Sequence, residues 1–228
     1  MTTSLLLLSG AGLPAWAWDD VVGGLSAPAT VAPRPTVENA TVTDYARAAL
    51  DAAPEGDLTL IAHSAGGVVA SEVARLAPER IRGVLAVAAI IPKADASFAS
   101  SLPFPNRVIL PLILRLAGTR PPESALRNGL GAGVDEETVR RFIDDLEPEP
   151  RSYFLSRVAS NAALAAVPRT TYVLTAGDKE IPPQLQRGYA ARLRDPRIVE
   201  IAGGHYPMIS NIPALRAAIK DFLAVPAQ

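Results

Sequence analysis

Few residues in this chain have the means to do covalent chemistry. It holds no cysteine and only two histidines, His63 and His205, so a thiolate nucleophile and a histidine-rich metal site are both excluded and the choice of general base is narrow. Ser64 is the candidate nucleophile. In Ala62-His63-Ser64-Ala65-Gly66 an apolar run breaks at a serine whose neighbours two before and two after are small, and helical periodicity resumes behind it. A serine on a tight strand-to-helix turn needs such neighbours because the backbone there is crowded and strained. The leading glycine of the G-x-S-x-G arrangement is Ala62 here. A serine hydroxyl attacks poorly at neutral pH unless a base accepts its proton and a carboxylate holds that base in the right tautomer. His205, in Gly203-Gly204-His205-Tyr206-Pro207, follows a predicted strand in a flexible loop and is the candidate base. His63 sits beside the nucleophile, where adjacent side chains point different ways, and is assigned to packing. Asp178, in Thr175-Ala176-Gly177-Asp178-Lys179, ends a predicted strand and is the orienting acid; Asp95 is its rival. Singly, each residue has a plainer role as packed serine, loop histidine or turn aspartate. Together, at strand ends and in the order serine, acid, histidine, they specify acyl transfer.

The tetrahedral intermediate of such a reaction needs two N–H donors. The backbone of Ala65 supplies one, and Ala11, in the loop Ser9-Gly10-Ala11-Gly12-Leu13-Pro14, the other. That loop lacks the spacing and the acidic partner of a dinucleotide cradle, and no Walker lysine follows it.

These residues must be carried by elements that end on one edge. Short β-rich runs alternate with helical patterns, the signal of a mostly parallel sheet of about six strands with helices on both faces. Strands are predicted at residues 5–8, 29–31, 58–62, 83–88, 171–175 and 198–201, and helices at 16–23, 42–52, 65–76, 183–193 and 212–223. Asn211 caps the last helix and Pro213 sits in its first turn. Residues 92–167 break the rhythm with helical patterns between Pro/Gly clusters, a helical lid inserted into one domain spanning 1–228. Such a lid covers the strand ends where open α/β sheets bind ligands. Gly10, Leu13, Phe104, Leu112, Phe142, Tyr153 and Phe154 are expected to line the substrate pocket.

Composition fits this picture: 228 residues, 49% hydrophobic, 20% charged and a formal net charge of −1 suit one globular domain and neither a polyanion nor a membrane partner. The early leucine run lacks a basic flank and ends at a glycine turn, so it reads as a buried strand and not a secretory leader, placing the protein in the cytoplasm. Nothing fixes a monomer over a homodimer.

Residues 175–187, Gly203-Gly204-His205-Tyr206-Pro207-Met208 and Ser9-Gly10-Ala11-Gly12-Leu13-Pro14-Ala15-Trp16-Ala17-Trp18 resemble the plant methylesterase and hydroxynitrile lyase family of α/β-hydrolases. The likeness covers both ends of the chain and hardly touches the insertion. It implies an α/β-hydrolase fold, no cofactor, Ser64, Asp178 and His205 at the catalytic positions and Ala11 at the loop oxyanion donor. Ser9 stands where the family has histidine. The lyases of that family carry threonine where this chain has Gly10, and lysine where it has Tyr206. The resemblance therefore implies the esterase branch, acting on a small to medium, largely apolar ester. The same triad also serves C–C bond hydrolases, non-hydrolytic lyases or cyclases, and receptors that bind without turnover.

Overall fold

The computed structural model describes residues 3–224. Six strands form one parallel sheet: β1 (Ser4–Leu8), β2 (Ala29–Val31), β3 (Leu58–His63), β4 (Ile81–Val87), β5 (Thr170–Thr175) and β6 (Arg197–Ile201), in the order β2-β1-β3-β4-β5-β6. All five pairings are parallel. Each strand lies within two residues of its expected bounds. The central strands are buried on both faces, which is why they read as apolar runs and not as alternations. Side chains of β1 divide by the pleat: Leu6 and Leu8 enter one core with Leu60, Val84 and Tyr172, while Leu5 and Leu7 enter the other with Ile61, Leu85 and Val173.

The first core is covered by α1 (Val42–Ala52) and α2 (Gly66–Leu76). Thr41 and Asp44 close a capping box at the start of α1, satisfying donors the first turn leaves free. Between β4 and β5 the chain inserts α3 (Asn106–Leu116), α4 (Glu123–Leu130) and α5 (Glu136–Asp144), with single turns at Phe98–Ser101, Arg151–Leu155 and Ala162–Ala165. Finally α6 (Pro183–Ala190) and α7 (Ile212–Ala224) flank β6, α7 covering the second core with Leu215, Ile219 and Phe222. The Asn211 side chain accepts from the Ala214 N–H at 3.4 Å, as its cap position predicts.

The expected helix at 16–23 resolves into a 3-10 turn, Ala15–Trp18, and one short α-turn, Asp19–Val22. Pro14 before it and the Gly23-Gly24 pair after it leave no room for more. Among the described residues no helix is long and apolar enough to cross a membrane.

The chain runs from β1 outward to β2, then returns to β3 and proceeds the other way. At that switch point the loop after β1 and the turn after β3 diverge and leave a crevice at the strand C-termini.

Candidate active site

Ser64 follows β3 directly and adopts φ 51°, the left-handed region that costs a non-glycine residue about 1–3 kcal/mol. The turn is held from both sides. The Ser64 N–H donates to the Val87 carbonyl at 3.2 Å, and the Ser64 carbonyl accepts from Gly67 at 3.1 Å and Ile90 at 2.9 Å. Gly66 must be glycine, because a Cβ there would lie 2.1 Å from the Leu8 carbonyl oxygen. Ala62, by contrast, is fully buried in regular pairing with Leu8 and Ala86, so the departure from glycine is absorbed by the sheet.

Asp178, His205 and Ser64 form one hydrogen-bonded row. His205 Nδ1 lies 2.7 Å from Asp178 Oδ2 and His205 Nε2 lies 2.8 Å from Ser64 Oγ. A carboxylate can only accept, so Nδ1 carries the hydrogen and Nε2 offers its lone pair to the serine hydroxyl. The loop after β5 fixes the acid: Asp178 Oδ1 accepts from the Glu180 and Ile181 N–H groups, both at 2.8 Å, while Oδ2 also accepts from Thr175 Oγ1 at 3.0 Å and Gln186 Nε2 at 3.1 Å. Burial works to raise the Asp178 pKa, but the bonds from His205, Ile181 and Thr175 hold it below the ordinary carboxylate range. Burial likewise disfavours the charged form of His205. The carboxylates of Glu180 and Asp178 outweigh that, and its pKa stands above the ordinary 6.5. Its own backbone is anchored by the insertion: the His205 N–H donates to the Gly129 carbonyl of α4 at 2.7 Å.

His63 packs beside the row and does more than fill space. Its Nε2 lies 2.8 Å from the His205 carbonyl oxygen and must donate to it. Burial, with the neighbouring His205 acting in the same direction, pushes its pKa down to about 3. The ring therefore stays neutral, and among the described residues its Nδ1 finds no hydrogen-bond partner. Asp95 lies apart, in an exposed ion pair with Arg157 at 3.1 Å.

Ser64 opens onto a cavity of about 340 Å³ that also borders Gly10, Ala11, Leu114, Phe154 and Glu180. Neither the Ala11 nor the Ala65 N–H donates to another described residue. The expected pocket residues divide. Gly10 and Phe154 border the cavity; Leu13 and Tyr153 border a smaller one of about 110 Å³ behind the β1 loop, which Gly10 also touches. Phe104 and Leu112 face outward, 74% and 56% exposed. Phe142 is buried in the second core against Tyr206, ring centroids 4.9 Å apart. For Leu112 the reason is that the apolar residues of α3 spread over most of its circumference, Arg107 and Arg115 marking only one side, so hydrophobicity alone does not mark its inner face. In place of Leu112, Leu110, Ile113 and Leu114 of α3 reach the cavity.

Sequence reasoning passed over two carboxylates. Glu180 stands on the cavity wall with Oε2 3.8 Å from His205 Nε2. Glu149, only 4% exposed, accepts from the Gly12 N–H at 3.1 Å and from Arg34 Nε at 2.9 Å, and Tyr45 donates its hydroxyl to the same carboxylate. Its setting, Pro148-Glu149-Pro150, was the available signal, since a charged residue locked between two prolines is poorly placed to follow solvent.

Several solved structures share the architecture. An extracellular alpha/beta-hydrolase from a Paenibacillus species, described as sharing structural and functional homology with tobacco salicylic acid binding protein 2, superposes with a TM-score of 0.83 at 18% identity, over 96% of this chain and 98% of that one. A pyrethroid hydrolase from Sphingobium faniae JZ-2 gives 0.72 at 23% identity over 100% and 99%. Polyneuridine aldehyde esterase, as a histidine-to-alanine mutant, gives 0.70 at 15% over 97% and 99%. Among curated protein sequences none matches. At these identities the superpositions speak for the fold alone. The sequence itself carries the assignment further, for residues 5–218, from the first strand into the last helix, match the model of one family. The chain belongs to the alpha/beta hydrolase family.

Proposed function

We propose that this hydrolase cleaves a small to medium, largely apolar carboxylic ester through a covalent acyl-enzyme. The observation that carries the proposal is the row from Asp178 through His205 to Ser64, at 2.7 and 2.8 Å, ending on a strained serine at a mostly apolar cavity. In the first half-reaction Ser64 Oγ attacks the ester carbonyl while His205 Nε2 takes its proton. Asp178 holds the imidazolium that forms, and the Ala11 and Ala65 N–H groups receive the oxyanion. His205 returns the proton to the leaving alcohol; water then repeats the sequence on the acyl-enzyme and releases the acid. No cofactor takes part in this scheme.

The ester branch is favoured over lyase chemistry by the space at Gly10. A Cβ there would sit 2.7 Å from His63 Nδ1 and 2.9 Å from Ser64 Cβ, so the threonine of the lyases has no seat beside this elbow. The names of pyrethroid hydrolase and polyneuridine aldehyde esterase lie in the same direction. The helical insertion, whose α3 borders the cavity, acts in this reading as a lid.

Ser64→Ala is expected to lower turnover of p-nitrophenyl butyrate by about 10⁴-fold or more, with an unchanged circular dichroism spectrum. A fluorophosphonate probe should add one label, located at Ser64 by peptide mass spectrometry. Undiminished turnover in the variant, or a label elsewhere, would overturn the proposal.

A further inference from the structure

Three charged side chains border the cavity in front of Ser64: Arg120, Glu149 and Glu180. Two are spoken for. Arg120 donates to the Leu146 carbonyl at 2.9 Å and to that of Ile143, and Glu149 is paired with Arg34 at 2.9 Å. Glu180 accepts a hydrogen bond from the Tyr206 hydroxyl but makes no ion pair with a lysine or arginine among the described residues; its nearest cationic candidate is His205, Nε2 to Oε2 at 3.8 Å, beyond a hydrogen bond. One hydroxyl leaves most of a carboxylate's acceptor sites unused, and beside an apolar cavity, with no lysine or arginine to neutralise it, such a group favours a ligand that brings a further donor. Its place relative to the reaction says which half of the substrate brings that donor. His205 Nε2 is the atom that hands its proton to the leaving alcohol oxygen, so that oxygen sits against Nε2 and Glu180 sits beside the alcohol half. The acyl oxygen is directed instead to the β1 loop, on the opposite wall. Glu180 also borders a second cavity, of about 530 Å³, lined by Leu102, Asn106 and Lys179 among others.

We propose that Glu180 is a specificity residue for the alcohol moiety: the enzyme selects esters whose alcohol carries a hydroxyl or ammonium donor on the carbon next to the ester-bearing one, as in monoesters of vicinal diols and of amino alcohols. The proposal rests on the hydrolase reading and refines it. The donor engages Glu180 Oε2 while the ester oxygen faces His205, and the 3.8 Å between Oε2 and Nε2 suits two groups on adjacent carbons.

Matched esters test this. Hydroxyethyl butyrate against propyl butyrate varies a neutral donor at constant size, and dimethylaminoethyl butyrate, protonated at neutral pH, against isopentyl butyrate varies a cationic one. The expected result is a kcat/KM ratio of about tenfold or more in favour of the donor in each pair, the size of one hydrogen bond to a charged group. Glu180→Ala should bring both ratios to about one. Glu180→Gln, which keeps an acceptor and loses the charge, should hold the hydroxyl ratio and lose the ammonium ratio. Ratios near one in the unaltered enzyme, or ratios that survive Glu180→Ala, would overturn the assignment, whatever the absolute rates. If none of the esters is cleaved the hydrolase reading fails instead. The subsite is then read by calorimetric binding of dimethylaminoethyl against isopentyl butyrate to the Ser64→Ala protein, where equal affinities reject it and a preference for the amine supports it.

Discussion

Besides Ser64, His205 meets Asp178, Glu180, Tyr206 and His63, and the two carboxylates, set against burial, govern its protonation. In the proposed mechanism His205 must be neutral to accept the serine proton. Because its pKa is raised above 6.5 in spite of burial, activity should fall as pH drops through a value above 6.5, not below it. Replacing Glu180 by glutamine removes one of the charges that favour the imidazolium, so the limb of kcat/KM for p-nitrophenyl butyrate should move to lower pH. A limb that stays in place would show that Asp178 alone sets it. His63 works with the opposite sign on stability. Its pKa falls from 6.5 to about 3 on folding, so between those values the unfolded chain binds a proton that the folded one refuses. Stability contributed by the neutral ring is complete above 6.5 and is lost as pH falls toward 3. In His63→Asn, which has no proton to take up there, the melting temperature should decline less steeply between pH 6 and 4 than in the parent; equal slopes would refute this account.

At the scale of elements, Glu149 ties together parts far apart in sequence. It comes from the insertion, yet it holds the Gly12 N–H of the β1 loop, the Arg34 guanidinium that follows β2 and the Tyr45 hydroxyl of α1. Arg34 in turn reaches Glu147 at 2.8 Å and the Leu13 carbonyl at 3.3 Å. The proposed oxyanion donor, Ala11, is therefore next to a clamped residue, and the clamp is a buried charge whose removal leaves Arg34 only the exposed Glu147 as partner. Glu149→Ala should lower kcat by about ten- to a hundredfold with KM little changed, since a misplaced oxyanion donor costs the transition state more than the ground state. Glu149→Gln, still able to accept from Gly12, should recover part of the loss. A kcat equal to that of the parent in Glu149→Ala would remove the clamp from any role in positioning.

Across the whole molecule, what could be read from the residues follows how each element is stabilised. Parallel strands buried on both faces announce themselves as leucine, isoleucine and valine runs, so the sheet and the serine turn at the end of β3 were legible to within two residues. Asp178 and His205 stand out in the sequence because they follow such runs directly, and the structure brings both into one hydrogen-bonded row with Ser64. The insertion was not. Its helices are short, and α3, with Pro111 in its interior, leaves Val108, Ile109, Leu112 and Leu116 exposed, so its broad apolar arc does not single out the buried side. Phe104 and Leu112 accordingly face solvent where a pocket role was expected, and Phe142 serves the core. Glu149 and Glu180 escaped notice for a different reason: a carboxylate is ordinarily a solvated surface group, and only the packing of distant segments decides otherwise.

The bond from the His205 N–H to the Gly129 carbonyl joins access to competence. Gly129 belongs to α4, which continues from the Pro121-Pro122 segment bordering the cavity, whereas His205 is the proposed base. An ester bulky enough to displace α4 outward pulls on the very amide that sets the imidazole in place. Widening the doorway thus slackens the machinery behind it. Oversized esters should be disfavoured through turnover as well as through binding, a size filter that works by disarming the enzyme and not only by shutting the substrate out.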